Sequence, residues 1–328
     1  MKKTLLAAAV ASTVTSFAMA DISITGDAKF EYDHYDTGSA TSSSTNTEMH
    51  LNVVGKQGDT QVVIKTEIVS HGKSNGATGG IDVEDTYITT KVGPISVKAG
   101  NYASGTSGLL GEIENGPRAT NKVTLSGSLG GVGLYAGNST PSGTAGAADT
   151  TINNNMFAGA KFKVAGQNIE VKKNSDTKDS WGIKGSVSGV DYRYEASDDD
   201  TDGDTSYVEV STKLAGVTVQ YAALDADAHA ALEETDSTTF AQEAANSSGT
   251  PKKQSQVALS TAVDGTKLTL KSGTIEDGIS AGVDQDYIML SASRPLASGA
   301  TLVVTYNDND TSASASKENL EVELNVKF

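Results

Sequence analysis

The feature that most constrains this chain is a period-two alternation of apolar and polar residues. In the last segment Leu320, Val322, Leu324, Val326 and Phe328 alternate with Asn319, Glu321, Glu323, Asn325 and Lys327. Near the start Ile22, Ile24, Gly26, Ala28, Phe30 and Tyr32 alternate with Ser23, Thr25, Asp27, Lys29, Glu31 and Asp33. Successive side chains of a strand point to opposite faces, so each segment reads as a strand with one apolar and one polar face. A soluble sheet with one wet face has this pattern, and so does a barrel with lipid outside and water inside. Alternation alone leaves both open.

The spacing of the connections separates them. Tight turns are predicted at 56–60, 92–94, 127–131, 165–167, 188–190, 214–216, 263–266 and 295–299. Longer polar loops are predicted at 36–46, 70–82, 103–117, 138–155, 173–179, 197–205, 224–252, 274–283 and 307–316. Short and long connections alternate from end to end, as in a transmembrane barrel with short periplasmic turns and long extracellular loops. The segments number about 18, with 16 as the alternative if one hairpin is misread; single-chain bacterial barrels take an even number. Closure is a physical requirement, because an open sheet edge in lipid leaves backbone groups unpaired at several kcal/mol each. The fold expected is an all-β transmembrane antiparallel barrel occupying residues 21–328 as one domain.

Residues 1–20, MKKTLLAAAVASTVTSFAMA, carry the parts of a secretory signal peptide in order. Lys2 and Lys3 open it, a short apolar stretch follows, and Ala18-Met19-Ala20 forms a small-x-small cleavage site before Asp21. The formal net charge is −16, and losing Lys2 and Lys3 makes the mature chain −18. Such acidity argues against nucleic acid as a partner and for cation attraction. Cysteine is absent, so no disulfide holds the exported chain together. Aromatic residues make up only 5%, which predicts thin interfacial girdles.

Enzyme signatures are lacking. The four histidines, His34, His50, His71 and His229, form no H-E-x-x-H, and there is no G-x-S-x-G or cysteine nucleophile. Gly131-Val132-Gly133-Leu134-Tyr135-Ala136 matches a dinucleotide fingerprint but leads into GNSTPSGT, which opens no helix, so it reads as a hairpin turn. Residues 198–209 fit the calcium-loop spacing, with Asp198, Asp200, Asp202, Asp204 and Glu209 as ligands and Gly203 at the bend. The flanks read as strands rather than helices, so a solvated acidic loop is the competing reading. No other cofactor is suggested. The single Trp181 reads as an interfacial or wall residue.

The mature start DISITGDAKFEY, DTYITTKVGPISVKAGN at 85–101 and PRATNKVTLSGSLGGVGLYAG at 117–137 together resemble strands of the general diffusion porins of Gram-negative bacteria. In this resemblance Arg118 and Asn121 fall at matching positions, and the terminal Phe328 is similar to the signal read by the outer-membrane insertion machinery. The resemblance implies an outer-membrane location, a barrel of 16 strands, a homotrimer and a third long loop folded into the barrel. On that loop Glu112 and Glu114 are the implied acids of a constriction. The candidate basic wall, by inward parity, is Lys29, Lys65, Lys98, Arg118 and Lys122. Asn101 and Thr124 stand where the family often has bases.

The function expected is a passive, cation-preferring, water-filled pore for ions and small hydrophilic solutes, in contact with lipid and lipopolysaccharide. The rivals are a plugged structural or adhesive barrel whose loops bind a partner, and a soluble exported β-sandwich.

Overall fold

A computed structural model describes residues 21–69, 80–104, 109–111, 113, 116–140, 155–174, 178–200, 203–227, 239–241, 252–276, 283–312 and 314–328. Eighteen strands follow in chain order: β1 Asp21–Asp36, β2 Thr41–Gln57, β3 Thr60–Val69, β4 Gly80–Val92, β5 Ile95–Ser104, β6 Gly116–Leu129, β7 Val132–Thr140, β8 Asn155–Val164, β9 Gln167–Asn174, β10 Lys178–Val187, β11 Val190–Asp199, β12 Thr205–Leu214, β13 Val217–Ala226, β14 Lys252–Val263, β15 Thr266–Glu276, β16 Gln285–Pro295, β17 Ala300–Thr311 and β18 Ser314–Lys327. Each pairs antiparallel with its neighbour in sequence, and β18 returns to pair with β1 from Asp27↔Lys327 to Asp36↔Glu318. The barrel is therefore closed, with 18 strands rather than 16. A typical ten-residue strand, at roughly 3.3 Å per residue and tilted, covers the apolar band of about 25 Å that such barrels present to lipid.

Local sequence makes the tight turns. At Ala165-Gly166, Ser188-Gly189, Ala215-Gly216 and Asp264-Gly265 both residues have positive φ. That is the type I′ geometry whose twist matches two antiparallel strands, and glycine takes the second position at little cost. Two loops predicted to be long are short. The polar run from Thr41 to Asn46 continues β2, and β17 extends to Thr311, leaving connections at 37–40 and 312–313. Hydroxyl and asparagine residues favour loops only where backbone partners are lacking, and here β1 and β18 supply partners out to Asp36↔Thr41 and Thr311↔Ser314.

The side chains are distributed in the reverse sense to a soluble domain. Large apolar residues such as Ile24, Ile64, Ile88, Leu125, Val257 and Leu290 are exposed on the outer face, while Asp33, Asp85, Lys122, Glu170, Glu195 and Gln256 are buried inside. This pattern, with one closed sheet, excludes the soluble β-sandwich. Outer-face burial becomes favourable only against lipid, at about 25 cal/mol per Å² of apolar area. Trp181 lies on this face, packed on Tyr194 with ring centroids 5.1 Å apart.

Candidate functional site in the barrel lumen

Residues directly opposite in paired strands share a face, so register fixes which side chains enter the lumen. Glu31↔Glu323 and Asp33↔Glu321 stand between β1 and β18, Lys29↔Glu48 and Asp27↔His50 between β1 and β2, and His50↔Glu67 between β2 and β3. These residues form an acidic arc with embedded bases. Lys29 Nζ lies 2.7 Å from Glu31 Oε2, 3.6 Å from Glu323 Oε1 and 3.7 Å from Glu48 Oε2. Lys65 Nζ lies 3.2 Å from Asp85 Oδ2. Each of these lysines is thus paired with carboxylates of the acidic arc.

The next arc, β5–β9, has the opposite character. Lys98 Nζ lies 3.9 Å from the ring centres of both Tyr87 and Tyr102. Lys122 Nζ is 4.9 Å from Tyr102 and 5.6 Å from Phe157, and Lys172 Nζ is 5.7 Å from Phe157. Lys161 Nζ is 5.3 Å from the ring of Tyr135 and 3.3 Å from Glu170 Oε1. Ring faces attract ammonium groups and hold these stems in place. Thr124, where the resemblance expects a base, shares a 2.8 Å hydrogen bond with the Tyr102 hydroxyl. The side chain of Arg118 lies outside the described residues.

Two loops enter the lumen from the β9–β15 side. In the third long loop, the Leu109 N–H donates to Glu170 Oε2 at 3.0 Å, and the Ile113 N–H donates to Glu195 Oε2 at 3.2 Å. Arg193 donates to the Leu109 carbonyl at 3.2 and 3.3 Å, and Lys178 Nζ donates to the Ile113 carbonyl at 3.4 Å. Glu195 is fully buried and ion-paired with Arg193. Glu112 and Glu114 lie outside the described residues, although Gly111 and Ile113 beside them are held within the barrel. The second segment is 239–241. The Gln256 amide donates to the Thr239 carbonyl at 2.7 Å, the Ala241 N–H donates to Gln256 Oε1 at 2.7 Å, and Lys271 Nζ donates to the Thr239 carbonyl at 2.9 Å. Leu110, Ile113, Tyr207, Leu224 and Phe240 bury one another where the two segments meet.

Sequence reading placed 224–252 wholly among the outer loops and so missed this second inward segment. The one usable signal is Phe240, a large aromatic in the otherwise small and polar run 235–250. It also missed Lys161, Lys172, Tyr87 and Tyr102, because β4, β5, β8 and β9 carry mixed residues on both faces and only ring closure tells which face is inside.

The acidic turn keeps only part of its predicted ligand set together. Asp198 and Asp199 end β11, Asp200 is exposed in the turn, Asp202 lies outside the described residues, and the Asp204 N–H donates to Asp227 Oδ2 at 3.1 Å. Repulsion from Asp198 raises the Asp204 carboxyl above its ordinary value. Glu209 does not join them. It faces Arg193 four strand pairs away from Ser197↔Thr205 and accepts from the Tyr207 hydroxyl at 2.8 Å. A helix–loop–helix would swing such a residue back to the ion, whereas an extended strand carries it away by about 3.3 Å per residue.

An apolar exterior, a charged lumen and inward-folded loops on a closed antiparallel sheet define the fold of an outer-membrane porin. Solved channels share it. OccK2 (OpdF) of Pseudomonas aeruginosa superimposes with a TM-score of 0.66 at 12% identity, over 94% of this chain and 98% of that one. OpdL of the same organism gives 0.64 at 11% identity, over 94% and 99%. OpdK, solved with vanillate, gives 0.64 at 10% identity, over 94% and 98%. At these identities the likeness is one of fold. No family model and no curated protein matches the sequence.

Proposed function

We propose that this protein is a passive channel of the Gram-negative outer membrane, through which ions and small hydrophilic solutes diffuse without catalysis. The observation that carries the reading is the division of the lumen. The two inward loops anchor on β9–β15, while the acidic arc runs along β18–β4 and the lysine–aromatic arc along β5–β9. Opposed charge across a narrow aqueous passage sets a transverse field that orients polar solutes.

In this reading the pore prefers cations. The mature charge of −18 includes acids at one mouth, among them Asp198, Asp200, Asp204 and Asp227, beside the acidic arc of the lumen. Glu112 and Glu114, the constriction acids implied by the resemblance, belong to the same negative excess. Lipid surrounds the barrel, with lipopolysaccharide the expected neighbour of the long loops. A structural calcium ion, the one inorganic partner read from the sequence, is assigned to the 198–204 turn without Glu209. The homotrimer rests on the resemblance alone. A particle mass of three mature chains supports it, and a mass of one sets it aside.

The test is conductance of the purified, folded protein in a planar bilayer, with the reversal potential measured across a salt gradient. Stable unitary openings and a potential of cationic sign are expected. Absence of conductance would favour the plugged adhesive or structural barrel.

A further inference from the structure

One cluster within the acidic arc has a coordination chemistry that a diffusion pore does not require. His50 on β2 is the direct cross-strand partner of Asp27 on β1 and of Glu67 on β3, and Glu48 lies two residues along β2 on the same face. One donor atom each from Glu48, His50 and Glu67 lies within 4.8 Å of the others. We propose that Glu48, His50 and Glu67 form a site for a divalent transition-metal ion of the zinc type.

The arrangement is that of a metal centre and its supporting shell. His50 Nδ1 lies 3.2 Å from Asp27 Oδ2, so the ring can donate its Nδ1–H to this carboxylate. An ion arriving at Nε2 would displace the proton that this nitrogen shares with Glu48, while Nδ1–H stays on Asp27. A carboxylate behind a ligating histidine is the usual second partner of such sites and raises the basicity of the ring. Nε2 points at Glu48 Oε1, 3.0 Å away, and Glu67 approaches from the next strand. Ligand bonds of about 2.0–2.2 Å in a tetrahedral ion need donors roughly 3.3 Å apart. Small side-chain rotations close the gap from the present spacing, with water in the remaining position.

The donor set selects the class of ion. Calcium and magnesium take six or more oxygens, whereas one imidazole with two carboxylates suits zinc, cobalt or nickel. The surroundings supply compensating charge. Glu84, beside the irregular β3–β4 register at Lys65, also acts on His50. Lys29 meets Glu48 through Oε2, leaving Oε1 to the site. The other carboxylate trio, Glu31, Glu321 and Glu323, carries no such inference because Lys29 already occupies it.

The experiment is a titration of the folded full-length mature protein in detergent with Co²⁺, followed by displacement with Zn²⁺. One equivalent of Co²⁺ should give visible d–d absorption, and Zn²⁺ should bleach it. His50→Ala should abolish the signal, and Asp27→Asn should weaken binding about 10- to 100-fold by freeing the ring. Heat-modifiable migration on gels establishes that each variant is folded. A wild type that binds no Co²⁺, or a folded His50→Ala that binds as well as wild type, overturns the proposal and leaves His50 as an imidazole held by carboxylates. Binding is read without a bilayer, so this result is independent of conductance.

Discussion

Phe328 and Gly26 exchange two backbone hydrogen bonds of 2.9 Å each, and the Phe328 ring lies across the face of Gly26, where a Cβ would come within 3.0 Å of the ring Cζ. This contact fastens the last residue of the chain to the first strand at the seam that closes the barrel. The glycine is needed there because a Cβ would meet the His50 backbone carbonyl oxygen on β2 as well as the Phe328 ring.

Deleting Phe328 should therefore cut the heat-modifiable, folded fraction several-fold while export to the periplasm continues. Each lost backbone bond costs about 1 kcal/mol, and an edge left unpaired in lipid costs more. Gly26→Val should have the same sense with a smaller effect. Wild-type amounts of folded barrel in both variants would show that the seam is not decisive.

Glu195 anchors the third loop from a fully buried position. Glu195→Gln keeps the shape but removes the charge facing Arg193, loosening the loop by about 2 kcal/mol. Amide exchange at Leu109 and Ile113 should accelerate, and open-channel current should become noisier. Unchanged exchange at both amides would mean that the loop is held elsewhere.

Changing Glu112 and Glu114 together to Gln should lower the cation preference, and the effect should shrink as salt rises and the Debye length falls below about 8 Å. An unchanged reversal potential would remove these two residues from the constriction.

Lys98→Gln should act in the opposite direction. It removes an ammonium held between two tyrosine rings at 3.9 Å, an interaction of about 1–2 kcal/mol, and so should raise the cation preference. Equal reversal potentials for the variant and the wild type would mean that permeating ions do not pass this arc.

Asp204 carries a pH dependence of definite sign. Its carboxyl is raised mainly by Asp198, so its contribution to stability is full below the unfolded value near 3.8 and is lost as pH rises through the folded value. At neutral pH the ionised pair repels. Asp204→Asn should then raise the melting temperature slightly at pH 7 and leave it unchanged at pH 3, and calcium should narrow the difference at pH 7. If chelation leaves wild-type melting unmoved, the calcium assignment fails.

The sequence determined the architecture because the physics that writes it is local. Alternation in 21–33 and 319–328 fixes the two faces of a strand, X-Gly pairs at 165–166, 188–189 and 215–216 fix the turns, and the regular spacing of turns points to about eighteen strands, with sixteen the alternative that the closed sheet sets aside. It also fixed the lumen parity of Asp27, Glu31, Glu67, Lys98 and Lys122, which follows from one period-two rule. What it left undecided depends on residues far apart in the chain. Lys29 and Lys65 read as wall bases, and only strand pairing sets them among Glu48, Glu323 and Asp85. Glu209 read as a metal ligand until an extended strand carried it to Tyr207 and Arg193. The burial of Phe240 against Leu110, and the meeting of Asp27, His50 and Glu67 in one row, arise only when the sheet closes. Ring closure brings together side chains that no local period relates, and the charge balance of the lumen is set by those neighbours.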